Sequence, residues 1–415
     1  IPPPWGHEKE GCDLDLLPVL LGSDANVYGM ARSFYMQYGV KSLAIGKGAL
    51  AATAHSKLVQ VAVVEPRLEE DEVFVNTLQA FAQRHPGKTR VLVSCGDNYT
   101  GLMARNRAAL EGLYHFACPT PELWEQLDMK ENFYKACEAH GIAYPRTAGC
   151  TAEDWRTVQL PFEFPCIIKA SNSVAYWNCR FPHKKKVFLA HDRQEFEAIA
   201  AAIYSSSYQD SLVLQEYIPG DDNCMRVLNC YSGLDHKVKL MALGRPLLEE
   251  QTPEGIGNYA AILSVKDEGL MQRMQAFLED VGWEGFSNFD MKYDARDGQY
   301  KMFEMNPRQG RSSFFVTASG YNLAKWLVED VGEHKPLGLT AESLWMIAPA
   351  GILKRYLKDP QLLAQAQALI ARGKAAHQLF CREDFTARRF VWYVKNQLNN
   401  YRKYKRYFGN KGLVD

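Results

Sequence analysis

The chain has 415 residues, of which 47% are hydrophobic and 23% charged, so it is long enough for two or three domains with proper cores. Its 48 basic residues balance 48 acidic ones, which excludes the strong global positive field of many nucleic-acid-binding proteins. Ten cysteines without a C-x-x-C pair argue against structural zinc and indicate the reduced thiols of a cytoplasmic protein. The sequence has no run of about 18 apolar residues, so we expect no membrane span.

The first 120 residues predict an α/β domain with a parallel sheet. An apolar run, a helical pattern and a second strand between residues 18 and 46 form a βαβ unit. No Gly-x-Gly-x-x-Gly motif follows the first strand, which disfavours a dinucleotide-binding domain. Polar loops at 22–26 and 95–99 follow predicted strands, at the edge where open α/β sheets bind ligands. The sequence favours substrate-binding loops and simple turns about equally at these two places. If the loops bind substrate, the candidate residues in them are Ser23, Asp24 and Asp97.

The middle of the chain begins with two predicted helices and continues as a strand-rich region. The helices lie at about 121–127 and 130–140. Strands are predicted at 165–170, 211–218, 224–231 and 237–243, a helix at 267–280, and mostly helices over the last 75 or so residues.

An acidic hairpin at 289–308 carries the most specific chemical signal in the sequence. Side-chain alternation predicts an apolar face made of Phe289, Met291, Phe303 and Met305. Asp290, Glu304 and Asn306 fall on the other face, where pairing of 290 with 304 would join two carboxylates and an amide oxygen beside Arg308. Such hard oxygen ligands suit Mg²⁺. Taken alone, the hairpin is better explained as an ordinary half-exposed one with an acidic outer face, because charged outward faces are common.

The order of motifs along the chain resembles that of the ATP-grasp superfamily. It runs from Lys130 and the strand lysine Lys169 through residues 215–221 to Asp290 and the run 304–308. The resemblance is close over about 130–330 and implies a mixed α/β and α+β fold. The implied parts are a Rossmann-like pre-ATP-grasp domain at 1–120, a two-lobed ATP-grasp domain at 121–335 (small lobe 145–218, large lobe 219–335) and a helical, basic C-terminal region at 336–415.

The resemblance also implies which residues bind ATP. Lys130 and Lys169 match phosphate ligands, and Lys169 would be costly to bury on an apolar strand without an anion. The segment 215–218 matches the hinge between the lobes that contacts adenine, and a nearby acid matches the ligand of the ribose hydroxyls. The candidate residues of the hinge and the ribose contact are Gln215, Glu216, Tyr217, Ile218, Asp221 and Asp222.

Further matches concern the metal and the transferred phosphoryl group. Asp290, Glu304 and Asn306 match the ligands of Mg²⁺ in the family. Arg226 and Arg308 match positions that hold the phosphoryl group and the charge of an acyl intermediate, although a surface ion pair is the alternative for Arg226.

One departure from the family concerns the loop over the phosphates, which is normally rich in glycine. Residues 171–178 contain no glycine and are followed by lysines at 184–186. Serine and asparagine can donate to phosphate, and the lysines can attract it, but a solvated bend is the commoner fate of such a run.

ATP-grasp enzymes typically activate a carboxylate as an acyl phosphate that an amine then attacks. Arg311 and Ser312, next to the metal run, are candidate ligands of the substrate carboxylate. The domain order resembles the D-aspartate ligase branch, which implies D-aspartate and the lysine ε-amine of a UDP-linked peptidoglycan precursor as substrates. L-amino acid or dipeptide ligases of the same fold remain an alternative. A carboxylase subunit and a non-catalytic ATP-binding module rank below them.

The C-terminal region is basic and aromatic: nine Lys or Arg residues against two acids lie between Arg382 and Lys411. Docking of an amphipathic helix on the core is the first interpretation, with steering of an anionic precursor or contact with an anionic membrane as alternatives. We expect a small amino acid and a peptide-bearing amine as partners and no nucleic acid. A homodimer is left open.

Overall fold

The computed structural model describes residues 15–252, 255, 257–330 and 342–408. Within this part, three sheets and their helices give the mixed α/β architecture that the sequence predicts. Residues 1–14, 331–335, 336–341 and 409–415, which belong to the expected domains, lie outside the described residues, and so does Lys411.

The N-terminal domain is built on a parallel sheet of four strands. The elements are β1 (Leu16–Leu21), α1 (Ala25–Tyr38), β2 (Ser42–Gly46), β3 (Val59–Val64), α2 (Asp71–Gln83), β4 (Thr89–Ser94), α3 (Asp97–Arg105) and α4 (Arg107–Leu110). The strand order is β3-β2-β1-β4. The chain places β2 and β3 on one side of β1 and then returns to place β4 on its other side, with all four strands parallel. The loops after β1 and β4 therefore open at the same edge, as in other open α/β sheets.

Two helices lead from this domain to the small lobe: α5 (Pro121–Asp128) and α6 (Lys130–Ala139). The small lobe has an antiparallel sheet of order β5-β8-β6-β7. Its elements are β5 (Thr147–Cys150), β6 (Cys166–Ala170), α7 (Ser173–Asn178), β7 (Val187–Ala190), α8 (Arg193–Tyr204) and β8 (Leu212–Glu216). The strand β6 carries Lys169 beside Val213 of β8.

The large lobe is a sheet of seven strands in the order β13-β12-β9-β10-β11-β14-β15. A 3₁₀ turn at Asp222–Cys224 precedes it. Its elements up to residue 330 are β9 (Met225–Ser232), β10 (Val238–Glu249), β11 (Tyr259–Val265), α9 (Glu268–Asp280), β12 (Gly285–Asp294), β13 (Gln299–Asn306), α10 (Phe314–Ala318) and α11 (Leu323–Glu329). The C-terminal region adds β14 (Leu344–Met346) and β15 (Ala375–His377) to this sheet, two short strands that the helical reading of that region missed.

The C-terminal region is otherwise helical, as predicted, with α12 (Ala350–Tyr356), α13 (Pro360–Ala371) and α14 (Ala387–Tyr407). The helix α14 is anchored at its start by Arg389, whose Nε lies 2.7 Å from Oδ2 of the buried Asp384. The same carboxylate accepts a hydrogen bond of 2.9 Å from the hydroxyl of Tyr28 in α1. The C-terminal region is thereby tied to the N-terminal domain. No helix in the described ranges is both long and apolar enough to cross a bilayer.

The predicted hairpin is present as β12 and β13, and Asp290 lies opposite Glu304 as the sequence indicated. The predicted apolar face is wrong at one position. A register shift after Asp290 pairs Met291 with Met302, which makes Phe303 the extra residue of a β-bulge. Met302 is therefore buried in the core against α6 and α9, whereas the ring of Phe303 lies 6.0 Å from Nζ of Lys169.

Candidate functional site

A cavity of about 250 Å³ lies over the acidic face of the hairpin. Strands of the large lobe form its floor, the segment after β13 forms one side, and Lys186 of the small lobe contributes from above. Among the residues that line it are Lys186, Tyr259, Asn288, Asp290, Glu304, Asn306, Arg308, Arg311, Ser312 and Trp345. The three predicted metal ligands thus share one cavity with three of the predicted substrate or phosphate residues.

Asp290 is held in place by two neutral donors. The hydroxyl of Tyr259 on β11 donates to Oδ1 of Asp290 at 2.7 Å, and Nδ2 of Asn306 donates to its Oδ2 at 3.2 Å. The same Nδ2 of Asn306 donates to Oδ1 of Asn288 at 3.0 Å. The amide of Asn306 is therefore oriented with its nitrogen toward Asp290 and Asn288. Its oxygen Oδ1 accepts a hydrogen bond of 3.2 Å from Arg308.

The pKa values of the two carboxylates are shifted in opposite directions. Desolvation and the negative charge of Glu304 raise the pKa of Asp290 to about 7. The positive charge of Lys130, whose Nζ lies 3.1 Å from Oε2 of Glu304, lowers the pKa of Glu304 to about 2. A desolvated carboxylate facing a second one is a place where a divalent cation would relieve repulsion.

The donor set therefore fits Mg²⁺, which takes oxygen ligands and usually keeps several waters. Among the described residues, no group of three or more His, Cys, Asp or Glu side chains converges as a metal cage. The metal assignment accordingly rests on the two carboxylates, because the amide of Asn306 presents its nitrogen to Asp290 and its oxygen to Arg308.

A positively charged cluster stands beside the carboxylates. Nζ of Lys169 donates to Oε1 of Gln215 at 3.2 Å, and Nε2 of Gln215 donates to the hydroxyl of Tyr134 at 2.8 Å. Desolvation and the charge of Lys130 lower the pKa of Lys169 to about 7. An anion bound between the two lysines would offset both effects, as a nucleotide phosphate does.

The hinge segment divides into a fixed part and an exposed part. The carboxylate of Glu216 is buried and forms ion pairs with Arg146 at 3.1 Å and Arg296 at 2.8 Å. Burial acts to raise its pKa, but the hydrogen bonds from Arg146 hold the pKa below its usual value. This side chain is thus committed to ion pairs within the protein, which leaves the acids of the following turn as better candidates for the ribose hydroxyls.

The other hinge residues surround that turn. The backbone N–H of Tyr217 donates to the carbonyl of Pro165 at 3.3 Å, and Ile218 is buried. Oδ2 of Asp221 accepts a hydrogen bond of 3.2 Å from Asn223, and Oδ2 of Asp222 accepts one of 3.0 Å from the N–H of Glu249. Both acids lie between β8 and β9, where the chain passes from the small lobe to the large lobe.

The substrate candidates do not all reach the cavity. Arg308 forms a two-point ion pair with Asp97 of the N-terminal domain (Nε to Oδ1 3.0 Å, Nη2 to Oδ2 3.1 Å). Arg311 lies 2.7 Å from Glu250, and both Arg311 and the buried Ser312 line the cavity. Asp97 therefore acts on the cavity through Arg308.

The loop after β1 is more remote from the cavity. The carboxylate of Asp24 caps α1, accepting hydrogen bonds from the N–H groups of Asn26 at 3.0 Å and Val27 at 3.2 Å. Desolvation raises its pKa, against the opposing charges of Arg311 and Arg308. The hydroxyl of Ser23 donates to the carbonyl of Gly48 at 2.6 Å and so serves the loop itself.

Arg226 is not brought to the cavity. It lies opposite Met291 on β12, one residue out of phase with Val227, which lies opposite Asp290 and lines the cavity. Its guanidinium donates to the carbonyls of Asn223 at 2.9 Å and Met225 at 2.7 Å, and it stacks 5.7 Å from the ring of Tyr300. The expectation that Arg226 holds the phosphoryl group is therefore not supported by its position.

Sequence reasoning missed Tyr259, Asn288 and Trp345. Tyr259 and Trp345 lie on strands β11 and β14, where their aromatic character reads as core. Asn288 could have been found, because it precedes Asp290 by two residues and so shares its face of β12. Lys186 lines the cavity, which favours the phosphate interpretation of the lysine run at that position.

Comparisons with known proteins were made for the whole sequence and for the structure. No protein-family model matches the chain. It is 40% identical over 412 residues to the D-aspartate ligase of Enterococcus faecium, which covers 95% of this chain and 97% of that protein. It is 26% identical over 249 residues to the carbamoyl phosphate synthase large chain of Vibrio cholerae, covering 54% of this chain and 20% of that protein.

Solved structures show the same fold at low sequence identity. An ADP complex of N5-carboxyaminoimidazole ribonucleotide synthetase is similar with a TM-score of 0.58 and 13% identity, over 82% of this chain and 85% of that one. The L-amino acid ligase from Bacillus licheniformis is similar with a TM-score of 0.53 and 14% identity, over 78% and 75% of the two chains.

Proposed function

Since the chain belongs to the ATP-grasp family of carboxylate–amine ligases, in the branch that contains D-aspartate ligase, we propose that its substrates are D-aspartate and a lysine-bearing peptidoglycan precursor linked to UDP. The enzyme is an amide-bond-forming ligase that uses ATP. In the proposed reaction the β-carboxylate of D-aspartate attacks the γ-phosphorus of ATP, and ADP leaves. The lysine ε-amine then attacks the acyl phosphate and releases inorganic phosphate, so one amide forms per ATP consumed.

The observation that carries this proposal is the 40% identity to the D-aspartate ligase of Enterococcus faecium, in an alignment that covers 97% of that enzyme. The cavity is chemically compatible with that substrate. D-aspartate carries two carboxylates and one ammonium group, and the cavity is lined by the two arginines Arg308 and Arg311 as well as by carboxylates.

Within the cavity we assign Asp290 and Glu304 to Mg²⁺, and the oxygen of Asn306 would join them only if its amide turned away from Arg308. The ion supplies neutralisation of charge on the phosphoryl oxygens when it is bound. The residues around it have defined tasks that the geometry supports. Tyr259 and Asn306 keep the carboxylate of Asp290 in one orientation by donating to its two oxygens.

The phosphates of ATP are assigned to Lys130, Lys169 and Lys186. Lys130 already pairs with Glu304, and Lys169 is oriented by the side chain of Gln215. In the lobe hinge, the backbone of residues 216–218 is assigned to adenine. Asp221 or Asp222 is assigned to the ribose, because the side chain of Glu216 is engaged by two arginines.

Arg308 and Arg311 are proposed to hold substrate carboxylate and phosphoryl oxygens. Each is oriented by an acid before substrate arrives: Asp97 for Arg308 and Glu250 for Arg311. Pre-orientation of this kind lowers the entropy cost of binding. Ser312, which also lines the cavity, is proposed as a further contact for the substrate carboxylate. Asp24 receives no substrate contact, because its carboxylate caps α1 and is not part of the cavity lining.

We also propose that the enzyme works in the cytoplasm, because ATP and a nucleotide-linked precursor are its substrates. In the described part of the chain nine cysteines are free of disulfides, as is usual in a reducing compartment.

The test is an ADP-release assay with a matched set of amino acids. D-aspartate with a lysine-bearing precursor is expected to support turnover, whereas D-asparagine, which has the same shape but an amide in place of the β-carboxylate, is expected to be inert. With D-aspartate and hydroxylamine in place of the acceptor, the acyl phosphate is expected to be trapped as the β-hydroxamate. Equal turnover with L-amino acids alone would instead identify a dipeptide-type ligase.

A further inference from the structure

The helix α14 has a composition unlike that of the rest of the chain. Its 21 residues include seven Lys or Arg and no Asp or Glu. One face is packed against the protein: Arg389 pairs with Asp384, Gln397 donates to the carbonyl of Ile347 at 3.4 Å, and Tyr404 donates to the carbonyl of Glu249 at 2.6 Å. These contacts fix the position of the helix on the protein, and its opposite face is exposed to solvent.

That outer face carries an apolar stripe at helical spacing. The exposed side chains are Phe390 (43%), Val391 (52%), Val394 (37%), Leu398 (56%) and Tyr401 (39%). The stripe continues beyond the helix through Phe385, whose ring lies 5.4 Å from that of Phe390. A contiguous apolar patch of this kind on the surface of a protein commonly marks a site of interaction with a protein or a membrane.

A row of basic residues runs beside the stripe. Arg388, Lys395, Arg402 and Arg406 are spaced at seven, seven and four residues and so lie along one side of the helix. All four are exposed. An exposed helix that combines an apolar stripe with a basic flank and no acidic residue is the pattern of helices that lie in a membrane interface.

We propose that the outer face of α14 docks the enzyme on an anionic lipid surface. Charge decides between this occupant and a second copy of the chain, because two such faces would bring their basic rows together without a single acid to compensate. An anionic bilayer offers an apolar layer in which the stripe can be buried and negative headgroups that attract the basic row. The proposal does not depend on the identity of the amino-acid substrate.

Docking through α14 would keep the reaction site close to the membrane surface. Ile347, whose carbonyl accepts from Gln397, lines the cavity. Glu249, whose carbonyl accepts from Tyr404, precedes Glu250, the ion-pair partner of Arg311. The buried face of α14 is thus in direct contact with segments that form the wall of the cavity.

The experiment measures partition of the full chain into sedimented vesicles. Vesicles of phosphatidylcholine with about one third phosphatidylglycerol are compared with pure phosphatidylcholine at 0.1 M salt, where the Debye length is about 10 Å. We expect binding to the anionic vesicles and at least tenfold weaker binding to the neutral ones. Raising the salt to 1 M, where the Debye length is about 3 Å, is expected to release most of the protein.

Two variants separate the charged row from the apolar stripe. Lys395→Gln with Arg402→Gln is expected to weaken binding about 25-fold, because each basic residue near an anionic surface contributes about fivefold. Val394→Ser with Leu398→Ser is expected to weaken it about tenfold through lost apolar burial. The control is Arg273→Gln with Leu234→Ser, which removes one charge and one exposed apolar side chain on other surfaces and should bind as the wild type does.

The possible results divide cleanly. Preferential binding to anionic vesicles that both α14 variants weaken and the control keeps supports the proposal. Equal partition into both vesicle types, an absence of binding, or binding that the α14 variants leave unchanged would overturn it. Tighter binding to single-stranded DNA than to vesicles, or a dimer in sedimentation that the apolar variant dissociates while vesicles remain unbound, would overturn it in favour of another partner.

Discussion

Replacement of Glu304 by glutamine separates the chemistry of the cavity from the stability of the fold. The side chain of Glu304 is 41% exposed, and that of Lys130, its ion-pair partner, is 39% exposed. Exposed ion pairs contribute about 0–1 kcal/mol. The substitution also removes the charge that raises the pKa of Asp290. We therefore expect the melting temperature to change little.

Turnover is expected to respond much more strongly. A group that compensates charge in a phosphoryl-transfer site contributes about 3–4 kcal/mol to the barrier, which corresponds to a loss of about 10²–10³-fold in kcat. The assay is ADP release with saturating amino acid and acceptor, measured over a range of Mg²⁺ concentrations. Part of the loss should be recovered at high Mg²⁺ if a metal ligand has been removed, because mass action then restores occupancy.

Asp297→Asn provides the matched control, because Asp297 lies in the turn of the same hairpin and its side chain is 40% exposed. This variant should keep near wild-type kcat. If Glu304→Gln retained more than about a twentieth of the wild-type turnover with an unchanged melting temperature, the barrier contribution would be below about 2 kcal/mol and the metal assignment would be refuted.

Three further outcomes are expected. The pKa of Lys169 in the free protein is about 7, and bound phosphate would raise it, so ATP binding should be accompanied by uptake of a proton. The affinity for ATP should then fall by up to about tenfold per pH unit above pH 7, as measured by calorimetry in buffers of different ionisation enthalpy. Arg296→Ala removes a cation that lowers the pKa of both Asp294 and Glu216, so it should reduce the melting temperature at pH 7. The difference should shrink as the pH falls below about 4.5 and disappear once both carboxylates are protonated in the folded state; a pH-independent difference would contradict this. Tyr259→Phe, which frees Oδ1 of Asp290, should weaken Mg²⁺ binding about 10–100-fold with little loss of stability, and unchanged metal affinity would count against the assignment.

Alternation and turn chemistry were sufficient to predict the hairpin and the pairing of Asp290 with Glu304. They were not sufficient to place Phe303, because a period of two has no term for an extra residue in one strand. The same limit explains Arg226. Its strand was predicted, but whether an arginine or its neighbour faces the cavity depends on register with a partner strand some 65 positions later in the chain.

The wall of the cavity was beyond local reasoning for a different reason. Trp345 lies on a strand of three residues, too short for any periodic signal, and reaches the site only because β14 pairs with β11. Tyr259 looks like a core aromatic until its hydroxyl is seen to donate to Asp290. Residues such as these take their role from tertiary pairing.

The ion pair between Asp97 and Arg308 has a consequence for how this enzyme can be recombined with its relatives. The arginine follows β13, which carries Glu304, but the carboxylate that pairs with it comes from the N-terminal domain, 211 positions earlier in the sequence. A chimera whose N-terminal domain lacked an acid at the position of Asp97 would keep every residue that lines the cavity and would still lose the ion pair that orients Arg308. An exchange of the N-terminal domain between relatives therefore has to carry the acid at position 97 with it.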